Sequence, residues 1–564
     1  MTGHGSHEPL FDRPLTRRRL LRGALGAGGA LALSGVFVEQ AATTTTRSRP
    51  TRSSAPTAGG RLVFAVETAP FGFDPPKWWS ILEFCGVYAI FDRLLAVSDD
   101  GKRIVPELSA LPTASPDGKK YTFRLRRGVK FHNGRELTAD DVKYSLERIV
   151  VPDTASQGVS LYNTLPIVGY ADVAAGKAKT AKGIQVVDRY TVSIQLEEPE
   201  SALLDVLALP FASIVPRDVV ERVGGKQFNK APVGTGPFVA KKVVLASEVV
   251  LERNPSYWKP GVPRVDQVVW QIGVGSDIAV LRIEKGQADM MFEPVPKGQY
   301  AQIANDPNLK KQLVAALSNN VFYITLNTKH PALAKLQVRQ AIASAVDKQR
   351  LVRTINGLGI PSTGGLFSPL SPYYQPGIGY PHDPVRAKQL LASAGYPNGF
   401  KVPFWAVNQT PYLEEGETVQ QDLKAVGIDV DFKALDINAY NGQVVKNLPQ
   451  IMENTWELPY PHGSYVMDGA FTQAALKGGC CNFSSWVSPA FDKLATAAHR
   501  STDPARIVSL YKQMDRMVIH DQALWVPMFY PKVAMLVSKR VQGYSIPATP
   551  QAQVKFFAKY GLAA

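Results

Sequence analysis

Five aromatic residues of the C-terminal half, Trp405, Trp456, Tyr460, Phe483 and Trp486, are of the types that stack on an apolar, planar or sugar-like ligand. The same types also pack cores, where rings contribute large buried areas. Carboxylates stand near them in the chain: Glu457 follows Trp456, and Glu414, Glu415 and Glu417 lie upstream. A carboxylate can hold an ammonium group taken out of water, since a buried charge without a partner is costly. These residues suit capture of a solute rather than its turnover. The sequence has no Gly-x-Ser-x-Gly elbow, no His-Glu-x-x-His and no ordered Cys-His-Asn set. His132, His462 and His499 have no metal-ligand spacing, and Cys85, Cys480 and Cys481 lack the paired clusters of a zinc site. No catalytic residue, metal or cofactor is therefore expected. Two cysteine pairings stay open: a vicinal Cys480–Cys481 bond, or one of these with Cys85.

The elements that must position such a site are clearest in Tyr121–Arg148. Tyr121, Phe123 and Leu125 alternate with polar residues as in a half-buried strand. Val129 and Phe131 predict a second short strand, and Asn133-Gly134 a tight turn. Thr138-Ala139-Asp140-Asp141 reads as a capped helix start, with both acids at the positive end of the dipole. Val142, Leu146 and Ile149 form its apolar stripe, and Pro152 stops it. Arg61–Val66 reads as a first strand. Val338, Ala341, Ile342, Ala345 and Val346 form a helical stripe, and Asp383-Pro384 caps a helix that Gly395 closes. Thr418–Val426 is a further helix, and Ile428, Val430 and Phe432 alternate as a strand behind it.

The chain has 564 residues and a net charge of +15. Residues 1–58 hold eight of the arginines against Glu8, Asp12 and Glu39, so the remainder keeps about +10. No basic stripe with interleaved aromatics occurs, which argues against nucleic-acid binding. Thr16-Arg17-Arg18-Arg19-Leu20-Leu21-Arg22 looks like a twin-arginine export motif ahead of an apolar Gly/Ala/Leu run. That run is short and glycine-rich for a spanning helix. Val36 follows Leu33-Ser34-Gly35 where a lipoprotein would carry cysteine, so no lipid anchor is expected there. Residues 1–42 read as signal and 43–60 as a disordered tether.

Several blocks together resemble family 5 bacterial extracellular solute-binding proteins, the dipeptide-, oligopeptide- and nickel-binding receptors of ABC importers. Tyr121–Arg148 is similar to the family signature. Phe73-Asp74-Pro75, Val87–Leu95, Gly234-Thr235-Gly236-Pro237-Phe238, Asn254-Pro255-Ser256-Tyr257-Trp258 and the helix ending near Asp347-Lys348 follow in the expected order. The resemblance implies an α/β, two-lobed periplasmic-binding-protein type II (Venus flytrap) fold with an extra inserted subdomain. The first lobe would comprise residues 61–103, 234–326 and 528–564, with the inserted subdomain at 104–233 and the second lobe at 327–527. It further implies an extracytoplasmic monomer that takes a small solute, peptides foremost, and hands it to the permease subunits of an ABC importer. The alternatives are an oligosaccharide, an opine-like compound or a metal chelate, and, less in keeping with the sequence, a secreted hydrolase.

The resemblance also names a site. Phe73 and Asp74 would lie near the cleft, and Trp456-Glu457-Leu458-Pro459-Tyr460-Pro461-His462-Gly463 matches a cleft-lining Trp-x-x-Asp-Tyr-x-Asp-Pro segment. Pro459 stands where the family's first aspartate holds a peptide α-ammonium, and His462 where its second stands. Trp456 and Tyr460 are kept. Glu457, or one of Glu414, Glu415 and Glu417, could reroute the missing carboxylate. Asn482 and Ser484-Ser485 match a polar stretch near the ligand, with Trp405 and Trp486 as further candidates.

Overall fold

The computed structural model describes residues 59–77, 80–162, 164–458, 460–477, 481–547 and 557–563. The signal and tether expectations for residues 1–58, together with Pro459 and Cys480, lie outside the described residues. No helix among the described residues is long and apolar enough to cross a membrane.

Three sheets organise the chain. In the first, Arg61–Val66 runs parallel to Gln267–Ile272 and Met290–Met291, and the hairpin Phe238–Val244/Glu248–Arg253 extends it. Leu62, Phe64 and Trp270 fill its core with Ile90 from the helix Ile81–Ile90 and with Phe557, Tyr560 and Leu562 from the end of the chain. The second sheet is antiparallel at one end and parallel at the other, in the order 313–317, 525–536, 320–326, 451–457, 400–407, 428–435. Helices cover both its faces. Val338, Leu391 and Leu423 pack on one face, and Val466, Phe491 and Tyr511 on the other. A four-stranded antiparallel sheet (113–114, 120–124, 191–195, 184–188) carries the helix Ala139–Val150 on its own core, between the strands of the first sheet in sequence.

Most local expectations hold. The helix of the opening block spans Ala139–Val150, and the Thr138 backbone N–H donates to the Asp141 carboxylate at 3.0 Å. Gly134 takes φ +88° in the turn before it. Asp383 caps Pro384–Ser393, and Gly395 follows at φ +85°.

Others are corrected. Val129–His132 makes no strand, only an isolated bridge from Lys130 to Glu136, because the chain turns back at Asn133-Gly134. The helix expected from Thr418 begins at Tyr412. A Cβ at Gly416 would come within 2.7 Å of the Phe432 ring, so glycine is what lets the helix lie on the sheet. Asn320–Leu326, expected to close the first lobe's middle part, is instead interior to the second sheet. Its two faces feed two cores there: Phe322, Ile324 and Leu326 on one side, Val321 and Tyr323 on the other. Trp525–Leu536 spans the expected boundary at 527/528. Val526, Met528 and Phe529 lie in the second sheet's core, while Met535, Leu536 and Val537 lie in the first. Cys85 is a free thiol in the first core and Cys481 is disulfide-bonded, so the pairing with Cys85 does not form.

Candidate ligand site

The strand Ile451–Glu457 positions most of the site. Its alternation sends Met452 and Trp456 to one face and Glu453 and Glu457 to the other. On the first face Met452 pairs in register with Trp405, and Trp405 and Phe483 border the same small cluster. Trp456 lies 5.7 Å from Trp525 and 5.9 Å from Tyr465 between ring centroids. Trp525 stacks on Tyr323 at 4.1 Å and on Phe483 at 6.3 Å. Trp405, Trp456 and Phe483 are linked through this packing, joined by Trp525 and Tyr323, which the sequence did not single out. The indole N–H groups of Trp405 and Trp456 are buried without a protein acceptor.

The other face is acidic. Glu457 is half-buried and accepts from Asn320 Nδ2 at 3.3 Å, and burial pushes its carboxyl up. Glu415 and Glu453 are both fully buried and hydrogen-bond each other. Burial raises both; Glu415 lifts Glu453 further, while the hydrogen bond from Glu453 works against the rise of Glu415, so the pair holds a proton between its carboxyls at neutral pH. The Tyr412 hydroxyl is pushed up by burial and by Glu415, Glu453 and Glu457 around it. Glu414 pairs with Lys297, at the start of the helix Lys297–Asn305, at 3.2 Å. Glu453 escaped the sequence reading, although a charged residue inside the apolar-and-amide run Ile451–Trp456 was its visible signal.

The remaining candidates are elsewhere. Phe73 is fully buried against Trp270 at 5.5 Å. Asp74 is fully buried, and its two oxygens take Arg148 Nη1 and Nη2 at 2.6 Å each. Both therefore serve the scaffold rather than facing a cleft. Tyr460 is 1 % exposed and inserts into the core of the inserted subdomain, 5.5 Å from Tyr465. His462 is buried, shares a hydrogen bond with Ser464 Oγ at 2.9 Å, and burial drives it down to about 3. It is neutral and cannot replace an aspartate's charge. Asn482 is buried and pins its own turn: its Nδ2 donates to the Trp486 carbonyl at 2.8 Å, and Trp486 leans edge-on against Phe491.

Two further groupings are structural. His132 bridges Gly234 and Gly236, and burial holds it neutral, down to about 4. A cavity of about 500 Å³ borders Tyr88, Asp92, Arg93, Tyr257 and Trp258. There Asp92 accepts from Thr235 Oγ1 at 2.9 Å, Tyr257 OH at 3.0 Å and Trp258 Nε1 at 3.0 Å, which makes it a joint of the scaffold. Among the described residues no group of three His, Cys, Asp or Glu is arranged for a metal ion.

The profile of bacterial extracellular solute-binding proteins, family 5 (middle part), matches residues 103–477. The chain belongs to this family. It is 29% identical over 502 residues to di/tripeptide-binding protein 1 of Pseudomonas aeruginosa, covering 86% of this chain and 91% of that one. The structure of the ABC transporter-associated periplasmic binding protein DppA from Helicobacter pylori, in complex with peptide STSA, superposes with a TM-score of 0.72. That match is at 26% identity and covers 90% of this chain and 99% of the other. AgaA from A. tumefaciens R10, in complex with agropinic acid, superposes with a TM-score of 0.71 at 26% identity over 90% and 99% of the two chains. Like these neighbours, the family 5 protein described here has a mixed α/β, type II periplasmic-binding-protein fold, and its family binds solutes outside the cytoplasm.

Proposed function

We propose that this family 5 protein is an extracytoplasmic peptide receptor of an ABC importer. It captures a short peptide by closing its two lobes and delivers it to the permease. Ligand stabilises the closed state by binding it better than the open one. The observation that carries the reading is Glu457: a half-buried carboxylate one residue after Trp456, on the segment that resembles the family's cleft-lining stretch. A buried carboxyl gains most from an ammonium partner, and a peptide N-terminus supplies one. Glu457 thereby takes the part of the aspartate that Pro459 replaces, at the strand end where the opposite face carries Trp405, Trp456 and Phe483. The twin-arginine motif at Thr16–Arg22 directs export, and the protein acts as a monomer. Calorimetric titration with di- and tripeptides and their N-acetylated forms tests this. Free-amine peptides should bind and acetylated ones should fail; equal binding of both would sink the ammonium anchor.

Pro459 also favours a second reading, in which the ligand is an opine-like carboxylated solute such as the AgaA neighbour holds. Binding of opines with no response to any peptide would select it.

A further inference from the structure

A contact between the inserted subdomain and the second lobe has the composition of a switchable latch. His499 ends the helix Pro489–His499, which packs with the helices of the second lobe. Its Nδ1 lies 2.7 Å from Glu200 Oε2 of the inserted subdomain, and its Nε2 meets Asp468 Oδ2 on the helix Ser464–Phe471. Both ring nitrogens face carboxylates, so both must carry protons, and the ring is an imidazolium. The Glu200 side chain is 8 % exposed and also accepts the Ala202 N–H at 2.8 Å, which fixes its direction. Flanking bonds join the same two strips of chain. The Ser201 N–H donates to the His499 carbonyl at 2.8 Å, and Arg500 Nη2 pairs with Glu198 at 2.5 Å.

Glu200 and His499 are far apart in sequence, and the lobe-closure reading places them on bodies that separate when the cleft opens. Asp468 stays with His499 on the second lobe, whereas Glu200 leaves. We propose that Glu200, His499 and Asp468 form an ionic latch that holds the cleft closed, and that loss of the imidazolium proton releases it. The proposal rests on the lobe-closure reading for its consequence, though its geometry does not depend on which ligand is bound.

The sign follows from the charges. Burial works against the imidazolium, but Asp468 and Glu200 outweigh it and lift the ring to about 11 while the contact with Glu200 is made. Without Glu200 the open form holds the proton less tightly. The closed state is therefore favoured fully below the open-state value and loses that advantage as pH rises toward about 11. The neighbours do not mimic this. His462 is neutral throughout, and Tyr460 and Tyr511 are raised by burial beyond the range. Arg500 and Glu198 form their own pair beside it. Asp205, pushed up to about 7 by burial, is the one neighbour that titrates near the lower end.

The test is an interlobe distance in the ligand-free full chain. Spin labels carried by a non-canonical amino acid go at Val187 and Val385, both well exposed, one on the inserted sheet and one on the second lobe. The closed fraction should fall as pH rises from neutral toward about 11, by about tenfold in the closed-to-open ratio for each unit by which Glu200 raises the imidazole. H499Q and E200Q should each open the cleft at pH 7 and flatten the profile, while D205N should leave the alkaline limb unchanged. A pH-independent wild type, or H499Q and E200Q with the wild-type profile, would overturn the proposal. Because no ligand is present, such a failure leaves the peptide reading untouched, and a protein that binds no peptide can still show the latch.

Discussion

Asp74 and Arg148 separate a scaffold role from a ligand role in a single experiment. The Asp74 side chain is 0 % and the Arg148 side chain 9 % exposed, and two bonds of 2.6 Å join them. Removing one partner of a buried ion pair leaves an uncompensated charge and costs about 3–5 kcal/mol, whereas replacing both by apolar residues of similar volume is often near neutral. R148M strands a fully buried carboxylate, so it should lie at the upper end of that range. D74N strands a guanidinium nearer the surface and keeps an amide oxygen as acceptor, so it should lie at or below the lower end. D74L/R148M should recover much of the loss. Urea unfolding followed by tryptophan fluorescence reads these differences, since Trp270 packs on Phe73 beside the pair. Peptide titration of the same variants below the unfolding range reads the other role, and affinity should stay within about twofold, a difference of roughly 0.4 kcal/mol. Single variants losing less than about 1 kcal/mol, the usual scale of an exposed pair, would refute the energetic argument. A tenfold loss of affinity in folded D74N would refute the scaffold role.

Three further outcomes are expected. E457Q should weaken binding of free-amine peptides by at least about tenfold, or 1.4 kcal/mol, while leaving N-acetylated peptides unaffected in calorimetry. Both carboxyls of the Glu415–Glu453 pair are raised above their unfolded values, so their contribution is fully present below about pH 4 and is lost as pH rises through the raised values. E415Q should therefore lose less melting temperature between about pH 5 and pH 9 than the wild type. G86A should destabilise the first lobe by about 1–3 kcal/mol in the same urea assay. A Cβ at Gly86 would lie 2.2 Å from the Phe73 ring, inside a packed core.

What the sequence made legible was mostly local. The cap at Thr138, the helix start at Asp383-Pro384 and the strand at Ile428 each follow from neighbours within one turn or one alternation. The separate motifs were legible as a set, but not as one object. Only the fold reveals that Phe91–Leu95, Gly234–Phe238 and Asn254–Trp258 meet because Thr235, Tyr257 and Trp258 all donate to Asp92. The site was half-legible. Trp456 and Trp405 share a face because two strands distant in sequence pair in register, and no single strand's pattern encodes its partner. Phe73-Asp74 misled because a motif beside a cleft in relatives gives no burial, and here Arg148 claims both oxygens. Glu453 and Glu200 were hidden for the same reason: each matters through a partner on another element.

The strand Trp525–Leu536 sets an order on how the molecule can be made. Its first half completes the second core and its last residues enter the first, followed there by Phe557, Tyr560 and Leu562. A ribosome has therefore released nearly all of the chain before either lobe can finish its interior. The strand Arg61–Val66, among the earliest made, waits with its apolar side chains exposed for partners from both the middle and the end of the sequence. Such long-range closure folds slowly and leaves a sticky intermediate behind. Truncation just before Trp525 should consequently yield not one surviving lobe but none.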